Sequence, residues 1–218
     1  VAVVSPSRAP RRHGIQGIKV QADLVECGEF EGFRVSSPAS TWAMLGRELD
    51  VRALVVLGDS MVRVPRDARG VPLPMDRIAT IDQLREAANT GRRRGAPRLR
   101  DALSLIRVGS GSPLETDFRL LASDQGLPEP ELDVEIRAEG RLLGIADAVY
   151  RPFRTIVEVE GDHHRVTRAQ WNRDIEKHAA YAAAGWEVVR LTSVHIRGAH
   201  PLAGAMVRST LVRRGWRA

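Results

Sequence analysis

The stretch Ile156-Val157-Glu158-Val159-Glu160 alternates as a β-strand does, so Glu158 and Glu160 share a face with Ile156. Two carboxylates on one face of an internal strand repel each other and lose hydration. A divalent cation would relieve both costs. The neighbouring apolar segment 142–150 carries Asp147 on a face with Leu143, Ile145 and Val149, an isolated carboxylate that calls for a partner. Asp147 and Glu158 together suit Mg²⁺ (or Mn²⁺), because Mg²⁺ binds through a few carboxylates and keeps several waters. A metal so held activates water and stabilises charge on a phosphate. Gly161-Asp162-His163-His164 follows at once. The glycine permits a sharp turn, and a histidine just past the metal can position water or act as acid or base.

Each of these residues also has a purely structural account. Glu160 can lie at the solvent end of its strand, and Asp147 can bond to backbone or to an arginine. Glu115 stands at capping-box spacing after Ser112. His163 and His164 are adjacent, poor geometry for two ligands on one strand, so one of them is expected to be structural. Asp174 and Arg190 are placed to form a plain ion pair between a helix and a strand.

The elements that would carry these residues are legible in the second half. Ser112-Pro113-Leu114-Glu115 reads as an N-cap, a proline at the first helical position and a capping-box glutamate. Leu114, Phe118 and Leu121 then form one apolar face until Gly126 stops the helix. Strands are expected over 132–137, 142–150, 155–160 and 186–191. Between the last two, Thr167 would cap a long helix with Gln170 at N3, whose buried stripe would be Trp171, Ile175, Ala179 and Ala182. A final helix is expected over 201–213. The order is αβββαβ followed by α.

The first half is expected to hold short strands over 1–4, 17–20 and 32–35. Helices follow from Ser37-Pro38, from Asp50, over 80–88 and over 97–106, with a Pro/Gly/Arg-rich loop at 65–75. Gly109-Ser110-Gly111 is the best linker, which gives a domain 1–109 and a domain 110–218. The chain opens Val-Ala-Val-Val without a methionine, already strand-like, so upstream sequence is expected.

Charge divides the chain at the same place. Its 218 residues carry a net charge of +6. Residues 1–110 hold 18 Lys+Arg against 12 Asp+Glu, whereas residues 111–218 hold 15 of each. Only Lys19 and Lys177 are lysines, and although arginine suits phosphate, its chain-wide excess is better read as a GC-rich coding bias, so the local cluster carries more weight. That cluster is Arg92-Arg93-Arg94 with Arg98 and Arg100, between the helix stop Asn89-Thr90-Gly91 and Pro97, where phosphates could be contacted. The alternative is a solvated linker. One cysteine, Cys27, excludes an intrachain disulfide framework and fits a reducing cytoplasm. No apolar run approaches the roughly 20 residues that span a bilayer.

The second half also resembles a known group. Ser112-Pro113-Leu114-Glu115, Asp147, Val157 to His164, Gln170-Trp171, Asp174 and Gly185-Trp186-Glu187-Val188-Val189-Arg190 resemble a bacterial family with a C-terminal domain related to the very-short-patch-repair endonuclease. That domain belongs to the PD-(D/E)XK nuclease superfamily. The resemblance covers roughly 111–195. It implies a restriction-endonuclease-like mixed sheet flanked by helices, and Mg²⁺-dependent hydrolysis of DNA phosphodiesters. It makes Asp147 the signature aspartate, Glu158 the first acid of the second half-motif, His164 the family histidine and Glu115 the acid of the leading helix. Gln170, Asp174 and Arg190 are supporting residues. Glu160 stands where the usual lysine would be; it is an extra metal ligand in some acidic variants, and Lys177 in the following helix is a candidate to replace the lysine. More loosely, the first half resembles the α/β region that follows a winged helix in abortive-infection-type antitoxin proteins.

The expected fold class is therefore α/β (α+β), with a small basic α/β domain before the endonuclease-like one. The leading expectation is a metal-dependent DNA endonuclease. The alternative is a DNA-binding regulator or antitoxin-like protein whose nuclease domain is degenerate.

Overall fold

The structure, a computed structural model, describes residues 1–15, 17–161 and 168–217, with the backbone alone for 168–173. The chain is mixed α/β and forms two compact units. One contains Val1–Val62 and Pro74–Ile106, the other Arg63–Leu73 and Arg107–Ala218. The division falls after Ile106, and most of the expected 65–75 loop belongs with the second unit.

The first unit starts with β1 (Ala2–Val4) and β2 (Ile18–Val20), a parallel pair. Next comes an antiparallel hairpin of β3 (Cys27–Phe30) and β4 (Phe33–Ser36). Sequence periodicity missed β3 because the strand is exposed along its whole length and has no buried face to mark it. Glu31 and Gly32 turn the hairpin with φ of 51° and 78°, the left-handed values a tight hairpin turn needs. Four helices follow: α1 (Pro38–Leu45), α2 (Val51–Val62), α3 (Ile81–Asn89) and α4 (Ala96–Leu105). Ser37 caps α1, and Thr80 with Gln83 forms a capping box on α3. Trp42, Leu54, Leu84 and Leu99 are fully buried among these helices. The Trp42 indole donates to the Leu54 carbonyl at 2.9 Å, so the largest core side chain leaves no unpaired polar atom.

The second unit opens with α5 (Pro113–Asp124), then β5 (Glu131–Ala138), β6 (Arg141–Tyr150) and β7 (Thr155–Glu160). It continues with α6 (Arg168–Ala183), β8 (Glu187–Thr192), α7 (Ser193–Arg197) and α8 (Ala203–Arg213). The strands form one mixed sheet in the order β5-β6-β7-β8. β5, β6 and β7 are antiparallel neighbours, and β7 runs parallel to β8. A parallel pair needs a long crossover, which α6 supplies. Alternation in β7 sends Val157 to one side, with Phe118, Val207 and Leu211. Ile156 goes to the other, with Ile136, Val149 and Tyr181. Helices therefore cover both faces. The excursion Arg63–Leu73 is tied to β5 by Arg66, whose guanidinium bonds Asp133 at 2.9 Å and reaches Glu135 at 3.4 Å.

Candidate functional site

Pairing between β6 and β7 reaches Ala148 and Val157 and is not continued beyond them. One step further lie Asp147 and Glu158. The Asp147 carboxylate accepts the Val159 N–H at 2.7 Å, so a side chain takes over where the backbone ladder ends. This is the backbone bond that the structural account of Asp147 foresaw. Glu158 is 6% exposed and faces α6, where the Lys177 ammonium stands 3.0 Å from Glu158 Oε1.

Approaching the sheet so closely requires a bare residue on β6. A Cβ on Gly144 would stand 2.5 Å from Tyr181 Oη and 2.9 Å from Lys177 Cδ. Tyr181 is fully buried, and its hydroxyl has no hydrogen-bond partner among the described residues. Burial first, and then the negative charges of Glu158 and Asp147, push its ionisation upward.

Glu115 joins this group from the first turn of α5. Its backbone N–H bonds the Ser112 hydroxyl, and its carboxylate accepts the Gly111 N–H at 2.5 Å. The carboxylate thus bonds one residue earlier than a capping box would require. Burial and then repulsion from Asp147 push the Glu115 carboxyl up to about 7, against the Gly111 bond, Ser112 and Arg63. Glu158 is also pushed up to about 7, chiefly by burial, with Lys177 opposing and Asp147 adding. Burial raises Asp147 as well, against the Val159 bond and Lys177. Asp147 is thus the acid that both glutamates feel. A cleft of about 410 Å³ opens at this end of the sheet, lined by Ser112, Glu115, Val159, Gly161, Ser193 and Arg197.

Comparison with known proteins gives distant relatives only. The chain is 28% identical over 168 residues to each of two Mycobacterium tuberculosis proteins. These are the uncharacterized protein MT2308 of strain CDC 1551 and the uncharacterized protein Rv2248 of strain H37Rv. The matched region covers 76% of this chain and 57% of each relative, so the chain spans a little over half of their length. No described protein family and no solved structure matches it.

The other sequence-selected residues are distributed as follows. Glu160 bonds the Arg190 guanidinium and is 39% exposed, which fits the solvent end of its strand. Arg190, expected to pair with Asp174, therefore has Glu160 as its direct partner, and Asp174 contributes only its field. Asp162, His163, His164 and Thr167 lie outside the described residues, as does the side chain of Gln170. Arg92, Arg93 and Arg94 occupy the α3–α4 loop. Arg98 and Arg100 lie on α4, where Arg98 reaches the carbonyls of Arg47 and Leu49 at 3.4 Å.

One expectation is overturned. Of the stripe Trp171, Ile175, Ala179 and Ala182, the Trp171 side chain lies outside the described residues and the other three do not face the core: Ile175 is 53% exposed, and both alanines are exposed. The inward face of α6 is Asp174, Lys177, His178 and Tyr181, which are buried or half-buried. Hydrophobic periodicity missed it because the sheet surface beneath is itself charged, so an ammonium and a phenol are the matching side chains. The sequence signal was the spacing of Lys177 and Tyr181, one turn apart on a helix following two acids. Burial, with Lys177 and Arg190 nearby, lowers the pKa of His178.

Among the described residues, no group of three or more His, Cys, Asp or Glu side chains is gathered for a metal ion. Asp147 and Glu158 nonetheless offer hard oxygen donors of the kind Mg²⁺ takes, two carboxylates being enough when waters and a phosphate complete the shell. Asp147 accepts its hydrogen bond through Oδ2, which leaves Oδ1 without one among the described residues, and Glu158 Oε1 is buried without a hydrogen bond there, its nearest cation being the Lys177 ammonium at 3.0 Å. Burial raises both acids, with Asp147 adding to the rise of Glu158 and with Asp133 and Glu160 adding to that of Asp147, and a cation would favour the ionised form of each. The donor set therefore fits the ion. Among the described residues, no helix is long and apolar enough to cross a membrane.

Proposed function

We propose that the second unit is a metal-dependent DNA endonuclease of the very-short-patch-repair-like type, built on the PD-(D/E)XK plan. The observation that carries this reading is the buried pair Asp147 and Glu158 at the point where β6 and β7 part, with Lys177 3.0 Å from Glu158. Asp147 and Glu158 would hold Mg²⁺ or Mn²⁺, which when bound lowers the pKa of water and stabilises charge on the phosphate. Lys177 brings from α6 the positive charge that Glu160 does not supply from β7. Its ammonium favours the ionised form of Glu158 against the burial that raises it, and would donate to a phosphate oxygen or an attacking water. Glu115, near neutral in its titration, can hold or release a proton at the cleft. His164 remains the acid/base candidate named from the motif. The basic first unit supplies affinity for the DNA backbone. We place the protein in the reducing cytoplasm, where the exposed, free Cys27 would stay a thiol.

One observation favours the alternative, a DNA-binding regulator or antitoxin-like protein with a degenerate nuclease domain. Lys177 neutralises Glu158 without any metal, and Glu160 is engaged by Arg190. Cleavage of supercoiled, linear, mismatched and single-stranded DNA with Mg²⁺ or Mn²⁺ separates the two. Metal-dependent cutting that disappears in Asp147→Ala and in Glu158→Ala establishes the nuclease. Equal inertness of wild type and both variants, with duplex binding retained, establishes the regulator.

A further inference from the structure

The first unit contains a cavity of about 360 Å³, bounded by Ser5, β2, α1 and the α3–α4 loop. Its walls include Lys19, Arg47, Arg92, Arg93 and Arg94, and no acidic residue among the described residues. On the other side of Leu24 and Val25 lies a second cavity of about 320 Å³, with Asp23, Glu26 and Glu86 and, among the described residues, no basic residue. An arginine-rich composition would scatter arginine into both. Here the charges are sorted by sign across a shared wall.

The cations of the first cavity are largely uncompensated. Arg47 pairs with Glu48 at 2.7 Å. The side chains of Lys19, Arg92 and Arg94 have no hydrogen-bond or ion-pair partner among the described residues. Arg93 gives one nitrogen to the Leu24 carbonyl at 3.0 Å and feels the charge of Asp23, while its Nε is buried with no acceptor among the described residues. Like charges around one small space repel, and an unmet buried donor costs free energy. A bound anion resolves both. Arginine forks suit phosphate in particular. The rest of the lining includes an apolar wall of Val20, Leu24, Val25 and Met44, beside the polar Ser5 and Gln21. The volume falls at the lower end of the roughly 300–1,000 Å³ typical of small-molecule sites, more than an inorganic ion needs.

We propose that this cavity binds one nucleotide through a phosphate monoester, with Lys19 and the arginines on the phosphate and the apolar wall against the nucleoside. The source is either a free nucleotide or the 5′-phosphorylated end of a strand. The site lies wholly within the first unit and does not depend on the nuclease reading of the second.

Calorimetric titration of the whole chain tests it, using a nucleoside 5′-monophosphate, the same nucleoside without phosphate, and inorganic phosphate. The expected result is saturable binding of one monophosphate per chain, tighter than inorganic phosphate, and no binding of the bare nucleoside. Arg92→Gln with Arg94→Gln removes exposed side chains only, and should weaken binding about tenfold or more. Arg137→Gln, on the second unit, should leave it unchanged. Competition by a 5′-phosphorylated oligonucleotide, but not by its 5′-hydroxyl counterpart, assigns the strand end; failure of both to compete assigns the free nucleotide. The proposal is overturned if the monophosphate does not bind or if inorganic phosphate binds equally well. It is overturned too if the double variant binds as wild type, or if an acidic peptide displaces the nucleotide at equal concentration.

Discussion

Lys177 and Glu158 meet 3.0 Å apart across the α6–β7 interface, the ammonium 26% exposed and the carboxylate 8%. Removing one partner of such a pair leaves the other buried and uncompensated. Lys177→Met is therefore expected to lower stability at pH 8 by about 1–3 kcal/mol, allowing for the partial exposure of the ammonium. Adding Glu158→Gln should recover much of the loss. Chemical denaturation of the single and double variants measures the coupling.

The raised acids set the pH dependence. Glu158 and Glu115 titrate near 7 in the folded chain and near 4.5 when unfolded. Between those values the folded state binds more protons, so these groups make stability fall as pH rises from about 4.5 to about 7. Glu158→Gln should lessen the fall in melting temperature between pH 4.5 and pH 8 relative to wild type. A thermal scan across pH checks the sign; a steeper fall in the variant would refute the assignment.

A cation that favours the ionised form of these acids should act in the same pH window. Mg²⁺ or Mn²⁺ is expected to raise the melting temperature at pH 8, with less effect at pH 5, where protons compete for the carboxylates. Asp147→Asn keeps an acceptor for the Val159 N–H yet removes a ligand charge, and should abolish the shift.

Gly144→Ala tests the closeness of α6 to the sheet. Its methyl would enter the space of Tyr181 Oη and Lys177 Cδ, so either the helix or the strand must move. A loss of about 1–3 kcal/mol is expected from overpacking. A larger proportional loss of any metal-dependent cleavage would follow from displacing Lys177.

The orientation of α6 can be read by substitution at its opposite faces. Ile175→Glu, on the exposed side, should change stability by no more than about 0.5 kcal/mol. Tyr181→Ala, on the buried side, should cost about 3–5 kcal/mol. If Ile175 proves the costly position, the helix is turned the other way and the Lys177–Glu158 pair is lost with it.

Much of the second unit was legible in the chain because its signals are local. Ser112-Pro113 opens α5, and the strand over 155–160 coincides with β7. The two acids of the site stood out because a carboxylate on an apolar strand face is costly wherever the strand lies. The first unit was less legible: its strands are three or four residues long and mostly exposed, so burial leaves little periodic trace. Lys19 and Arg47 gave no sign of belonging with Arg92, Arg93 and Arg94, because what joins them is a cavity wall.

Although it did not mark the short α7, the sequence by itself determined the order of elements from α5 to β8, the Ser112 cap that starts α5, and the presence of Asp147 and Glu158 on adjoining strands. These follow from backbone sterics, short-range hydrogen bonds and the two-residue strand period, which operate within a few residues. Tertiary structure decided which face of α6 turns inward, that Lys177 rather than Glu160 supplies charge beside Glu158, and that Arg190 belongs to Glu160. Those outcomes depend on desolvation and on charges brought together from distant parts of the chain. Burying Lys177 is unfavourable until the carboxylates beneath it exist as a surface, and only the folded sheet creates that surface.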